Sequence, residues 1–216
     1  MDITPTLYIK SGKYNTNVIL TLHQFTNNAL TIVNVNDLSN EDLTQLLELS
    51  PTGSFPLLKC DDLYISGSLA IINYLTTSSK SHNIPILIPS NSISSISLTV
   101  MWMNYATDNI WPILEQLFTI EKEQVKLIQD ETLKKEGQLF IDKIMERLNK
   151  HLQFNTYFIG SSYSLVDLMI SVSLKWFYSH LLDSDTVKKY NNVTRWMKLS
   201  TNMVEYKAVN GEIKLL

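Results

Sequence analysis

Apolar and polar positions alternate with one period near the start of the chain and another beyond residue 92. Thr6-Leu7-Tyr8-Ile9-Lys10 puts Leu7 and Ile9 on one face, which predicts a short strand. After a polar loop from Ser11 to Asn15, the stretch Val18 to Phe25 is apolar at helical density. Asn27-Asn28 interrupts it, and Leu30-Thr31-Ile32-Val33-Asn34-Val35 is a β-branched run that predicts a second strand. Strand, helix and strand form a βαβ unit, whose crossover is right-handed by the chirality rule. Glu41 to Leu49 predicts a helix capped by Ser39 or Asn40, with acidic residues in its first turn where the helix dipole favours them. Ser50-Pro51-Thr52-Gly53-Ser54-Phe55-Pro56 is a dense breaker loop. Leu57-Leu58-Lys59-Cys60 and Leu63-Tyr64-Ile65-Ser66 flank Asp61-Asp62 and read as a tight antiparallel hairpin. A helix from Ser68 to Leu75 completes the order βαβ, α, ββα.

Thr76 to Ser92 is serine-rich and contains Pro85 and Pro89, which marks a linker. The expected division is a mixed α/β domain over 1–77, a linker over 78–92, and an all-helical domain over 93–216. In the helical part Ile96, Val100, Met103, Ile110, Leu114 and Leu117 approximate one apolar stripe, and Pro112 predicts a bend around Ile110-Trp111. From Glu121 to Leu152 the pattern Val125, Ile128, Leu139, Ile141, Ile144, Leu148 predicts one amphipathic helix. Ser164-Leu165-Val166-Asp167 is a capping box, with Tyr163 and Leu168 placed as the hydrophobic staple. The helix it starts, Leu165 to Leu182, is apolar on nearly every side and so belongs at the centre of its domain. Asp167, Lys175 and His180 make it a poor membrane span.

Charge and cysteine content narrow the functional classes. The chain has 216 residues, 18 Lys and Arg against 21 Asp and Glu, and a formal net charge of −3. Only Arg147 and Arg195 are arginine, so direct nucleic-acid binding is not expected. The lone Cys60 excludes an internal disulfide and any multi-cysteine metal site, and fits a reducing compartment. Met1-Asp2-Ile3-Thr4-Pro5 lacks the features of a signal peptide, so the expected location is cytoplasmic, with no membrane partner. His23, His82, His151 and His180 show no metal-ligand spacing, and no metal site is expected. No GxxxxGK[ST] phosphate loop occurs.

The element order, the loop ending in Phe55-Pro56, the segment Ser68-Leu69-Ala70-Ile71 and the Ser164–Asp167 capping box together resemble the glutathione transferase superfamily. The resemblance implies a thioredoxin-like N-terminal domain, a helical C-terminal domain and a cis bond before Pro56. In the second half, Tyr157-Phe158-Ile159-Gly160, Leu174-Lys175-Trp176-Phe177-Tyr178, Asn192-Val193-Thr194-Arg195-Trp196 and Gly211-Glu212-Ile213-Lys214-Leu215 are similar to the N-terminal domain of the gamma subunits of eukaryotic translation elongation factor one. Those proteins continue into a lysine-rich linker and a further domain. The expectation is therefore that this chain is one domain of such a protein or a truncated product of it.

The superfamily's enzymes need a hydroxyl or thiol after the first strand to stabilise the glutathione thiolate. At that place, by resemblance, stands Lys13, with Ser11, Tyr14 and Tyr8 as neighbouring hydroxyls. Strand and turn chemistry accounts for these residues without catalysis. The resemblance further implies a glutathione subsite made by the Phe55 backbone before Pro56 and by Ser68 at a helix start, where N–H groups could hold a carboxylate. The plain alternative for Ser68 is a helix cap. Gly67 stands where the family has a glutamate or glutamine, which removes one ligand side chain.

The implied function is an assembly domain, without catalysis or only weakly catalytic, of the translation elongation factor one complex. It would anchor the guanine-nucleotide-exchange subunit, form a homodimer and require no cofactor, with glutathione as its candidate ligand. One alternative is an active transferase conjugating glutathione to electrophiles. Another is a similar domain that joins aminoacyl-tRNA synthetases in a complex.

Overall fold

The computed structural model describes residues 4–26, 29–78, 92–121 and 124–213. Asn27-Asn28, most of the serine- and proline-rich linker, and Lys214-Leu215 lie outside the described residues. The chain divides into two compact units, residues 1–84 and 85–216.

In the first unit, β1 (Thr6–Ile9), α1 (Tyr14–Thr26), β2 (Thr31–Asn34), α2 (Asn40–Leu49), β3 (Leu57–Cys60), β4 (Leu63–Ser66) and α3 (Ser68–Ser78) follow one another. The sheet order is β2-β1-β3-β4, with β1 parallel to β2 and antiparallel to β3. Leu7 and Ile9 of β1 and Leu57 and Leu58 of β3 are buried, as are Val18, Ile19, Leu22 and Phe25 of α1 and Ile71, Ile72 and Leu75 of α3. Each such side chain taken from water contributes about 1.5–3 kcal/mol, so this apolar layer is what holds the two helices to the sheet. The β3–β4 hairpin pairs Cys60 with Leu63 across Asp61-Asp62, with Asp61 in the left-handed region at φ 52°.

Two boundaries, those of α1 and α3, differ from the sequence reading, and the open choice of cap for α2 is decided. α1 begins at Tyr14, not Val18, because its polar first turn is closed by Asn17 N–H donating to the Lys13 carbonyl at 2.9 Å. Ser39, not Asn40, caps α2, its hydroxyl accepting from the Asp42 N–H. α3 runs past Leu75 to Ser78, where the Thr76 and Thr77 hydroxyls donate to the carbonyls of Ile72 and Asn73. The β-branched run of β2 is an edge strand, and its Ile32 is exposed.

The second unit begins with α4 (Ile93–Tyr105), one turn of π-helix (Ala106–Ile110) and α5 (Trp111–Leu117). Pro112 sits in the first turn of α5, directly after the π turn, whose Trp111 N–H reaches back to the Ala106 carbonyl, and the backbone stays helical through the junction. The predicted apolar stripe is buried only in its second half. Ile110, Leu114 and Leu117 are covered and Met103 is half-buried, whereas Ile96 and Val100 are about half exposed at 48% and 51%.

The helix expected from Glu121 is corrected. Phe118–Glu121 (β5) and Gln124–Leu127 (β6) form an antiparallel hairpin, and α6 starts only at Glu131 and ends at His151. The alternation Phe118, Ile120 against Val125, Leu127 is a two-residue period that a helical count absorbs. Asp130 accepts from the N–H groups of Thr132 and Leu133 and so fixes the true helix start. Leu139, assigned to the apolar face, is exposed, while Ile141, Ile144, Met145 and Leu148 are buried. The chain continues through α7 (Leu165–His180), α8 (Ser184–Lys189), α9 (Asn191–Thr201) and α10 (Val204–Asn210). α7 is buried on nearly every side, as its composition requires.

Candidate functional site

In the first unit three backbone turns meet at one edge of the sheet. β1 ends at Ile9, and Ser11, Gly12 and Lys13 turn the chain into α1. The Thr16 hydroxyl donates back to the Lys10 carbonyl at 3.0 Å and ties this turn to its helix. The second turn carries Phe55–Pro56, which is a cis peptide bond. The third is the start of α3, where the Gly67 N–H donates to the Pro56 carbonyl at 3.2 Å and the Gly67 carbonyl accepts from Ile71.

Gly67, not Ser68, therefore occupies the cap position, and Ser68 is the first helical residue. Gly67 lies at φ 93°, a conformation that favours glycine. Of the two readings of Ser68, the simple cap does not describe its place. Its side chain is nearly buried, at 7% exposure, and its hydroxyl accepts from the Asn15 amide Nδ2 at 3.2 Å. Asn15 thus joins the first turn of α1 to the first turn of α3. It was not singled out in the sequence, where it reads as one more polar loop residue; its placement depends on a contact fifty-three residues away.

The four thiolate-stabilising candidates are scattered in environment. Tyr14 opens α1 and is buried at 4% exposure, Tyr8 is half-buried in β1 opposite Val33 and Leu57, and Ser11 and Lys13 are half-buried in the turn. The structure brings together the α1 start, Pro56, Gly67 and Ser68 through hydrogen bonds. Among the described residues the Phe55 backbone forms no hydrogen bond. The first N–H groups of α3 have no helical acceptors and can receive an anion. Beside them Thr52, Ser54 and Ser66 share a chain of hydroxyl contacts, with Thr52 Oγ1 2.7 Å from Ser54 Oγ and donating to Ser66 Oγ at 2.9 Å.

Cys60 is not part of this edge. Its Sγ lies 2.8 Å from the Tyr74 hydroxyl, and this hydrogen bond, with burial second, pushes the Tyr74 phenol up to about 12. Among the described residues no group of three or more His, Cys, Asp or Glu side chains is placed to hold a metal ion.

The capping box in the second unit is the hub of a buried polar network. The Ser164 hydroxyl accepts from the Asp167 N–H, and the Asp167 carboxylate accepts from the Ser164 N–H at 2.9 Å. The same carboxylate accepts from the Phe158 N–H at 3.0 Å and the Trp196 indole N–H at 2.7 Å. Burial raises the Asp167 pKa, and these hydrogen bonds oppose the rise. The Asn192-to-Trp196 motif is explained by the same region. The Asn192 N–H donates to Asn149 Oδ1 at 2.9 Å, and Arg195 Nη2 donates to the carbonyls of Leu152 and Asn155 at 2.8 and 3.1 Å. Both the box and the motif are structural.

A thioredoxin-like α/β unit with a cis-proline loop, followed by a mainly helical unit, defines a protein of the glutathione transferase fold. Residues 102–202 match the family model described as Glutathione S-transferase, C-terminal domain. Poplar glutathione transferase F1 superposes with a TM-score of 0.78 at 18% identity, covering 96% of each chain. In sequence the chain is similar to elongation factor 1-gamma. The goldfish (Carassius auratus) protein is 28% identical over 168 residues, which is 76% of this chain and 35% of that protein. Elongation factor 1-gamma-A of Xenopus laevis is 37% identical over 81 residues, 38% of this chain and 18% of that protein. The GST-like domain of elongation factor 1-gamma from Saccharomyces cerevisiae superposes with a TM-score of 0.79 at 16% identity, covering all of this chain and 96% of that one. The match to the goldfish protein spans about a third of that relative's length.

Proposed function

We propose that the chain is an assembly domain of the translation elongation factor one complex, holding the guanine-nucleotide-exchange subunit in the cytoplasm. The observation that carries this reading is the similarity to elongation factor 1-gamma over three-quarters of the chain. The candidate ligand edge agrees with it. Gly67 offers no side chain to a ligand, and the Ser68 hydroxyl is nearly buried and already bonded to Asn15. No helix among the described residues is long and apolar enough to cross a membrane. A homodimer is supported by α4, whose thirteen residues include no charged side chain and whose Ile93, Ile96, Val100 and Met101 are exposed.

The second reading is glutathione binding, favoured by the Phe55 backbone beside the cis-proline, which forms no hydrogen bond among the described residues, and by the free N–H groups of α3. Capture from a cell lysate, followed by identification of the bound proteins, separates the two. The assembly reading expects the exchange subunit and no retention on immobilised glutathione. Retention with a conjugation rate lost in Ser68→Ala would replace it with a transferase. Capture of aminoacyl-tRNA synthetases without the exchange subunit would move the domain to a different complex.

A further inference from the structure

Residues 186–204 contain Lys188, Lys189, Arg195 and Lys198 and no aspartate or glutamate, in a chain whose net charge is −3. The fold turns most of this bias into one surface. At the junction of α8 and α9, Lys188, Asn191, Arg195 and Lys198 border a groove of about 530 Å³ with Val187 and Leu199 among its lining. Asn191, Arg195, Lys198 and Leu199 share one face of α9 by their helical spacing. Leu199 is 42% exposed, so the groove offers an aliphatic contact beside its charges.

Arg195 is fixed before any ligand arrives. Both of its bonds to the carbonyls of Leu152 and Asn155 come from Nη2, and Nη1 and Nε form no hydrogen bond among the described residues. A cation already held in place loses little conformational entropy on binding. Lys188 lies 3.9 Å from Asp185 with both side chains largely in solvent, an arrangement too weak to tie the lysine up.

We propose that the α8–α9 face binds an acidic polypeptide segment that presents carboxylates next to an aliphatic side chain. Charge complementarity and the exposed Leu199 select this occupant. Nucleic acid fits less well: the lining has no aromatic ring on which a base could stack, and only one arginine. The second group of cations, Lys143, Arg147 and Lys150 on α6, is interleaved with Glu146 and lacks this uniform sign. The proposal concerns the second unit alone and does not depend on which complex the chain joins.

The test is fluorescence anisotropy on the purified full chain with a labelled synthetic peptide of glutamates and leucines. A glutamine-for-glutamate peptide and a single-stranded RNA oligonucleotide are run beside it. Binding of the glutamate peptide should weaken with added salt and fall about tenfold in Lys188→Glu/Lys198→Glu, where two attractions become repulsions. The neutral pair Lys188→Gln/Lys198→Gln should lose less, and Leu199→Ala should weaken binding about threefold, the lower end expected for removing part of a hydrophobic contact. Thermal melts by circular dichroism show that the variants remain folded. Equal binding of the glutamine peptide would overturn the proposal. So would loss in Lys143→Glu/Lys150→Glu instead, or RNA bound more tightly than the glutamate peptide.

Discussion

Asp167 is a carboxylate inside a protein core, where burial opposes its ionisation and hydrogen bonds from three neighbouring residues hold it in place. It does more than cap α7, because it also fixes the turn at Phe158 and the indole of Trp196. Asp167→Ala would leave those donors buried without acceptors. Losing a cap alone costs about 0.5–2 kcal/mol, and each stranded buried donor adds about 1–3 kcal/mol. A loss of about 3 kcal/mol or more is expected from urea denaturation, with a smaller loss for Asp167→Asn, which keeps one acceptor oxygen. An unchanged midpoint would show that the network is not the hub described. The capping box could be read in the sequence because its partners are three residues apart. Its links to Phe158 and Trp196 could not, since they span nine and twenty-nine residues. The same holds for Asn15 and Ser68: local pattern identifies a helix start but not what leans on it.

Elements were legible where one period dominated. β1, the β3–β4 hairpin and α7 follow from alternation, a two-residue turn and continuous apolarity respectively. The β5–β6 hairpin was hidden because four-residue strands supply too few repeats to outweigh the long helix after them. The exposed side of α4 was hidden for another reason: an apolar stripe states what should be covered, and one chain does not state what covers it. Gly137 shows how closely two of these elements approach. A methyl added there would stand 2.7 Å from the δ-carbons of Leu117, which is itself fully buried and cannot swing into solvent. Alanine favours the helix by about 0.8–1 kcal/mol, but overpacking a core costs about 1–3 kcal/mol, so the clash should win. Gly137→Ala is expected to lower the melting temperature. A rise would mean that α6 and the end of α5 can separate without loss.

For the whole molecule, two histidines set a pH dependence. Burial lowers the pKa of His23 below 6.5, and burial together with the Lys175 charge lowers that of His180. The unfolded chain therefore binds more protons than the folded one as pH falls through the 6.5 reference toward the lowered values. Stability from this source is present above that reference and is lost on acidification. The melting temperature should fall between about pH 7 and about pH 5, and His23→Gln/His180→Gln should flatten that slope. A slope unchanged in the double variant would assign it to other groups.

At this scale the chain has the glutathione transferase fold and is similar to elongation factor 1-gamma over three-quarters of its length. The candidate ligand edge is assembled, yet Gly67 brings no side chain to it and Ser68 is already engaged. The most direct test of the assembly reading is sedimentation velocity of the purified chain mixed with the purified guanine-nucleotide-exchange subunit. A single faster-sedimenting species containing both proteins is expected, formed equally well with or without glutathione. Two independently sedimenting components at micromolar concentrations would contradict the assembly reading.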